Sequence, residues 1–113
     1  MRARGAKVTD IIILVISAVE SVQRQTIEVI NLVNQLRIPL IVAINKIDRE
    51  EADVDKVLFD LESNGIVSEE LGGDICTVPI SAKEGVNINT LENRIIELAD
   101  KKLQLLEDHK MNA

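Results

Sequence analysis

Three short apolar runs limit what this chain can fold into. They are residues 11–16 (Ile11-Ile12-Ile13-Leu14-Val15-Ile16), 40–44 (Leu40-Ile41-Val42-Ala43-Ile44) and 75–80 (Ile75-Cys76-Thr77-Val78-Pro79-Ile80). They have strand length, and the first two lack polar alternation, as expected of strands covered on both faces of a parallel sheet. The segments between them change period. Over residues 22–37, Ile27, Ile30, Val33 and Leu36 recur near helical spacing, and Pro39 closes the segment because the residue before proline is pushed out of the helical region. Asp53 is placed as an N-cap ahead of Val54, Val57, Leu58 and Leu61, an i, i+3, i+4, i+7 stripe that Gly65 is placed to end. Gly72-Gly73-Asp74 marks a turn into the third run, and Pro79 cannot donate to a ladder, so that strand is expected at a sheet edge. Asn89-Thr90-Leu91-Glu92 has the form of a capping box, followed by the apolar positions Leu91, Ile95, Leu98, Ala99 and Leu106. Residues 107–113 read as a fraying polar tail in which His109 is solvated.

The order is β-α-β-α-β-α. Such alternation implies an α/β fold: a parallel three-stranded sheet, right-handed crossovers and flanking helices. At 113 residues the chain is one domain at most. Phe59 is its only aromatic residue, so the core must be aliphatic, and base-stacking nucleic-acid modules, which need aromatic platforms, are disfavoured. The net charge of −6 excludes a general electrostatic grip on RNA or DNA. Arg2, Arg4 and Lys7 form a local exception, readable as a solvated terminus or as a patch facing phosphate or RNA. The single cysteine, Cys76, excludes an intrachain disulfide and is expected as a small buried hydrophobe. The run over residues 11–16 is too short to span a bilayer, and the amino end lacks the apolar stretch of a signal peptide, so no membrane is expected. Cytoplasmic and organellar locations both stay open.

In parallel α/β sheets ligands bind beyond the carboxyl ends of the strands. The second run ends in Asn45-Lys46-Ile47-Asp48 and the third in Ser81-Ala82-Lys83. Guanine presents its ring N1–H and its exocyclic amino group side by side, and one carboxylate can accept from both, which makes Asp48 the candidate reader. Adenine offers an acceptor at N1 and lacks that amino group, so the same carboxylate rejects it. Asn45 can brace the loop and offer its amide to the purine N7/O6 edge. Lys46 can lay its methylene stem along the base, the Ala82 N–H can donate to O6, Ser81 can stabilise the turn, and Lys83 can cover the other face. Either motif alone has an ordinary explanation as a turn or cap. Their pairing at two strand ends, one helix apart, gives them weight.

No Gly-x-x-x-x-Gly-Lys-[Ser/Thr], Asp-x-x-Gly or Gly-x-Gly-x-x-Gly occurs in these 113 residues. The sequence therefore holds base-reading residues without a phosphate-cradling loop, and the chain alone is not expected to hydrolyse GTP.

The sequence resembles the translational GTPases, and among them the bacterial and organellar type of translation initiation factor 2. The likeness is carried by Arg2-Ala3-Arg4-Gly5-Ala6 with Val8-Thr9-Asp10-Ile11, by Gln25-Thr26-Ile27-Glu28 and by the strand before Asn45-Lys46-Ile47-Asp48. Gly72-Gly73-Asp74 and the run from Val78 to Gly85 extend it. Two segments depart: Ala18-Val19-Glu20-Ser21-Val22 stands where the family usually has Ala-Asp-Asp-Gly-Val, and Gln23-Arg24-Gln25-Thr26 where it has Met-Pro-Gln-Thr.

This resemblance implies that residues 1–106 are the second half of a P-loop GTPase domain, with the phosphate loop and switches preceding Met1. It implies GTP or GDP as ligand at Asn45, Lys46, Asp48, Ser81, Ala82 and Lys83, and magnesium in the intact domain only. Ribosome and initiator tRNA are the implied partners of the intact factor. It further implies an open sheet edge along Ile11 to Ile16, suited to self-association. The alternatives are a non-catalytic partner-binding module derived from a GTPase domain, and another translational or ribosome-assembly GTPase.

Overall fold

The computed structural model describes residues 11–112, with side chains over 11–100. The basic cluster Arg2, Arg4 and Lys7 lies outside the described residues, as do the side chains of Leu106 and His109. The elements are β1 (Ile12–Ser17), α1 (Arg24–Leu36), β2 (Leu40–Asn45), α2 (Val54–Ser63), a 3-10 turn (Glu69–Leu71), β3 (Cys76–Pro79) and α3 (Ile88–Asn112). The strands form one sheet in the order β1-β2-β3, parallel throughout. Ile12 stands opposite Leu40 and Ser17 opposite Asn45, while Ile41 stands opposite Cys76 and Ile44 opposite Pro79.

The central strand has no exposed face, which is why its sequence does not alternate: Leu40, Ile41, Val42, Ala43 and Ile44 are all buried. On one side Leu14, Ile16, Val42 and Ile44 pack with Ile30 and Val33 of α1 and Val57, Leu58 and Leu61 of α2. On the other, Ala43, Val78 and Ile80 pack with Ile88 and Leu91 of α3. The buried hydrophobic core is aliphatic, as expected, and Phe59 stands 57% exposed on α2.

The two sheet edges differ. Along the outer edge of β3, the Ile75 N–H donates to the Val67 carbonyl at 3.2 Å and the Glu69 N–H to the Ile75 carbonyl at 2.9 Å. Pro79 has no N–H to offer, and its carbonyl accepts from Asn87 Nδ2 at 2.9 Å. Ser81 and Val86 exchange both backbone bonds. These features block strand addition. Along β1 the described residues supply no further strand, and α3 leaves Ile13 43% and Val15 59% exposed.

Local signals set the helix boundaries. Asp53 Oδ1 accepts the Lys56 N–H at 3.1 Å, the expected N-cap of α2. Arg37 closes α1 in the left-handed region, its N–H on the Val33 carbonyl at 2.8 Å. The start of α3 departs from expectation. The helix begins at Ile88, one residue before the expected cap Asn89, because Asn87 turns the chain at φ 61°. Helical backbone then continues to Asn112, through most of the expected tail. Ser21, in one of the departing segments, is buried at φ 62°, and its Oγ donates to Asp60 Oδ2 at 2.6 Å.

Candidate functional site

The site forms where β2 and β3 end. Beyond Asn45 the chain leaves the sheet abruptly, because Lys46 adopts φ 69°. Two short turns follow: the Arg49 N–H donates to the Lys46 carbonyl at 3.1 Å, and the Ala52 N–H to the Arg49 carbonyl at 3.1 Å. The loop beyond β3 is tied to this one by the Ile80 N–H on the Ile44 carbonyl, 2.7 Å, and the Ile47 N–H on the Ile80 carbonyl, 3.2 Å.

Side chains complete the join. Ser81 is fully buried, and its Oγ donates to Asp48 Oδ1 at 2.7 Å while accepting the Glu84 N–H at 3.1 Å. The Ala82 N–H donates to Asn45 Oδ1 at 3.0 Å. Asn45, Lys46, Asp48 and Lys83 line a hollow of about 170 Å³ together with Arg49. All six residues singled out in the sequence therefore meet in one corner, four lining the hollow and Ser81 and Ala82 bonded to two of those four. Sequence reasoning missed two features. One is that the Ala82 N–H is already donated to Asn45. The other is Arg49, whose only sequence signal is its place directly after Asp48.

The Ser81 hydroxyl is the main reason the Asp48 carboxyl is held below its usual range. Partial burial opposes it, and the Asp48 backbone N–H and the charges of Lys83 and Arg49 assist it. Asp48 is therefore a carboxylate near neutral pH. In this corner it can accept hydrogen bonds from two adjacent N–H groups.

A larger cavity of about 440 Å³ opens beside β3, lined among others by Glu69, Cys76, Thr77, Asn87 and Arg94. Its cation is already committed: Arg94 Nη2 lies 2.7 Å from Glu69, and Arg94 Nε donates to Cys76 Sγ at 3.0 Å. Cys76 is thus only partly buried, contrary to expectation, because β3 is an edge strand and leaves its thiol against this opening. The smaller hollow carries the converging polar groups. Among the described residues no group of three or more His, Cys, Asp or Glu could hold a metal ion, and no helix is long and apolar enough to cross a membrane.

Residues 1–101 match the family of the elongation factor Tu GTP-binding domain. The chain belongs to that family. Over 100 residues it is 50% identical to translation initiation factor IF-2 of Anaplasma marginale, and 47% identical to that of Ehrlichia ruminantium. Each comparison covers 88% of this chain and 12% of the relative, so the chain matches a small part of those proteins. Among solved structures, translation elongation factor SelB of Methanococcus maripaludis superposes with a TM-score of 0.64 at 29% identity, covering 81% of this chain and 20% of that one. GDP-bound aIF5B of Aeropyrum pernix gives 0.67 at 24% identity, covering 89% and 22%, a likeness of fold. The resemblance to translational GTPases read from the motifs is thus shown, as is the parallel three-stranded α/β fold of a family member.

Proposed function

We propose that this chain is the guanine-base-recognition half of the GTP-binding domain of a translation initiation factor 2-like GTPase. The observation that carries the reading is the junction of the two strand ends, with Ser81 on Asp48 and Ala82 on Asn45. Asp48 accepts the guanine N1–H and exocyclic amino group. Its Oδ1 already accepts the Ser81 hydroxyl, but each carboxylate oxygen has two lone pairs, so both base contacts can be added. With Asn45 Oδ1 facing the Ala82 N–H, its Nδ2 is the group free to donate to the purine N7/O6 edge, and the Ala82 N–H is shared with O6. The stems of Lys46 and Lys83 flank the ring.

The ligand is GTP or GDP. Magnesium belongs to the phosphate side of the intact domain. The described residues offer no ligand cluster that fits it. Residues 1–106 make up this half-domain, and 107–113 are a polar extension outside it. Within the intact factor the partners are the ribosome and initiator tRNA. Cytoplasm and organelle both fit a factor of this bacterial and organellar type.

Titration of the 113-residue chain with GDP and ADP, followed by amide NMR, tests the base reading. GDP is expected to shift resonances of residues 45–49 and 81–83, ADP to leave them unmoved, and GTP to persist unhydrolysed. Equal responses to ADP and GDP would overturn the assignment. Among the described residues no strand covers the free edge of β1, and Ile13 and Val15 stand exposed on its face, which supports a second reading in which the chain is a non-catalytic partner-binding module that associates through β1. Size-exclusion chromatography separates the two: an oligomer indifferent to GDP favours the module, and a GDP-responsive chain favours base recognition.

A further inference from the structure

Resting on the base-site reading above, we propose that Ser17 is a positioning residue: its hydroxyl holds the turn that fixes both ends of the base-reading loop, and so sharpens the choice of guanine. The loop, residues 45–53, leaves β2 at Asn45 and enters α2 through its N-cap Asp53. One buried residue, Ala18, grips it at both ends. The Ala18 N–H donates to the Asn45 carbonyl at 2.8 Å, and the Asp53 N–H donates to the Ala18 carbonyl at 2.9 Å. Neither Ser17 nor Ala18 lines the hollow, so they act on a bound base only through the loop.

The turn that carries Ala18 is braced by two serines. Ser17 Oγ accepts the Val19 N–H at 3.1 Å and the Glu20 N–H at 3.2 Å, and the Ser17 carbonyl accepts the Ser21 N–H at 2.7 Å. A serine hydroxyl that collects successive backbone N–H groups closes a turn. Ser21 Oγ then ties the far side of this turn to Asp60 at 2.6 Å, on the helix into which the loop runs. The segment 18–22, which departs from the family pattern, thus has a defined task.

The consequence for base reading is geometric. Asp48 must meet the guanine N1–H and amino group together, and a carboxylate turned by a loose loop keeps one bond better than the other. Ser81 fixes Asp48 from the β3 side. Ala18 holds the loop from the β1 side, so less ordering is left for the ligand to impose.

The test compares GDP and IDP binding to the full 113-residue chain as wild type, Ser17→Ala and Ser17→Thr. Hypoxanthine keeps the N1–H of guanine and lacks its amino group, so the ratio of the two affinities reads the second bond to Asp48. Ser17→Ala is expected to lower that ratio roughly three- to tenfold, part of what a hydrogen bond to a charged group supplies. Ser17→Thr keeps the hydroxyl and is expected to restore it; threonine no better than alanine would overturn the proposal. Equal weakening of GDP and IDP in Ser17→Ala would make Ser17 a merely structural residue and overturn it too. In wild type, GDP should also slow hydrogen exchange at the Asp53 amide, which lies outside the hollow. Unaltered exchange there overturns the clamp, and this measurement decides alone if Ser17→Ala does not fold. If wild type binds neither nucleotide, or both equally, the base-site reading itself fails. If wild type prefers GDP and Ser17→Ala keeps the full preference, only the positioning role fails.

Discussion

Gly72 and Gly73 stand side by side in the turn that feeds β3, yet alanine should be tolerated very differently at the two positions. Gly72 has φ 90° and nothing within 4 Å of an added Cβ. Gly72→Ala therefore meets only the left-handed backbone penalty, about 1–2 kcal/mol. At Gly73 an added Cβ would overlap the Val67 carbonyl oxygen and lie 2.6 Å from both Val67 C and Val67 Cβ. Backbone atoms must move, and overpacking of that kind costs about 1–3 kcal/mol. The same Val67 carbonyl accepts the Ile75 N–H at the entrance to β3. Displacing it loses about a further 0.5–1.5 kcal/mol. Gly73→Ala should therefore lose roughly 2–4 kcal/mol, a large share of a typical domain stability of about 5–15 kcal/mol. Urea unfolding followed by circular dichroism measures it: with a slope of about 2 kcal/mol per M, the midpoint should fall by roughly 1–2 M. Because β3 delivers Ser81, residual folded protein should also show a shifted Asp48–Ser81 environment by NMR. A Gly73→Ala midpoint at or above that of Gly72→Ala would refute the steric argument.

Three further outcomes follow from individual contacts. Ser81→Ala removes the hydroxyl that holds Asp48, so guanine-nucleotide affinity should fall and the Asp48 carboxyl should titrate closer to its ordinary value; an unmoved titration would separate Ser81 from Asp48. Ser68 is fully buried, and its hydroxyl has no partner among the described residues, so Ser68→Ala should leave stability unchanged or raise it by about 1 kcal/mol in the same urea assay. Asp60, like Asp48, has its carboxyl held below the usual range, chiefly by a serine hydroxyl, here Ser21. A depressed carboxyl stabilises the fold above the unfolded value of about 3.9, and that contribution is lost as pH falls through the folded value. The stability gap between wild type and Ser21→Ala should thus be full near neutrality and shrink below about pH 4; a gap that widens in acid would contradict the linkage.

The parts of this fold legible in the sequence were those with strong local causes. β2 announced itself because five consecutive apolar residues of strand length can hardly do anything but sit inside a parallel sheet, and Asp53 because an N-cap needs only its own helix. Pro79 marked an edge strand for the same local reason. The 3-10 turn at Glu69–Leu71 was not legible, since three residues carry no period. The start of α3 shifted because Asn87 turns the chain at φ 61°, a turn braced by its side chain on the Pro79 carbonyl, a contact that a capping pattern cannot reveal. At the site, residue types and strand ends located the corner. The bonds that close it join residues more than thirty positions apart, Ser81 to Asp48 and Ala82 to Asn45, and exist only once the sheet brings the two loops together.

Selection of guanine by the Asp48 carboxylate can be read out by nucleotide exchange in an intact GTP-binding domain containing this segment. An Asp48→Asn side chain can donate to the oxo group that xanthine carries where guanine has its amino group. This variant is expected to lose preference for GTP and gain preference for XTP. An unchanged ratio of GTP to XTP affinity would contradict it.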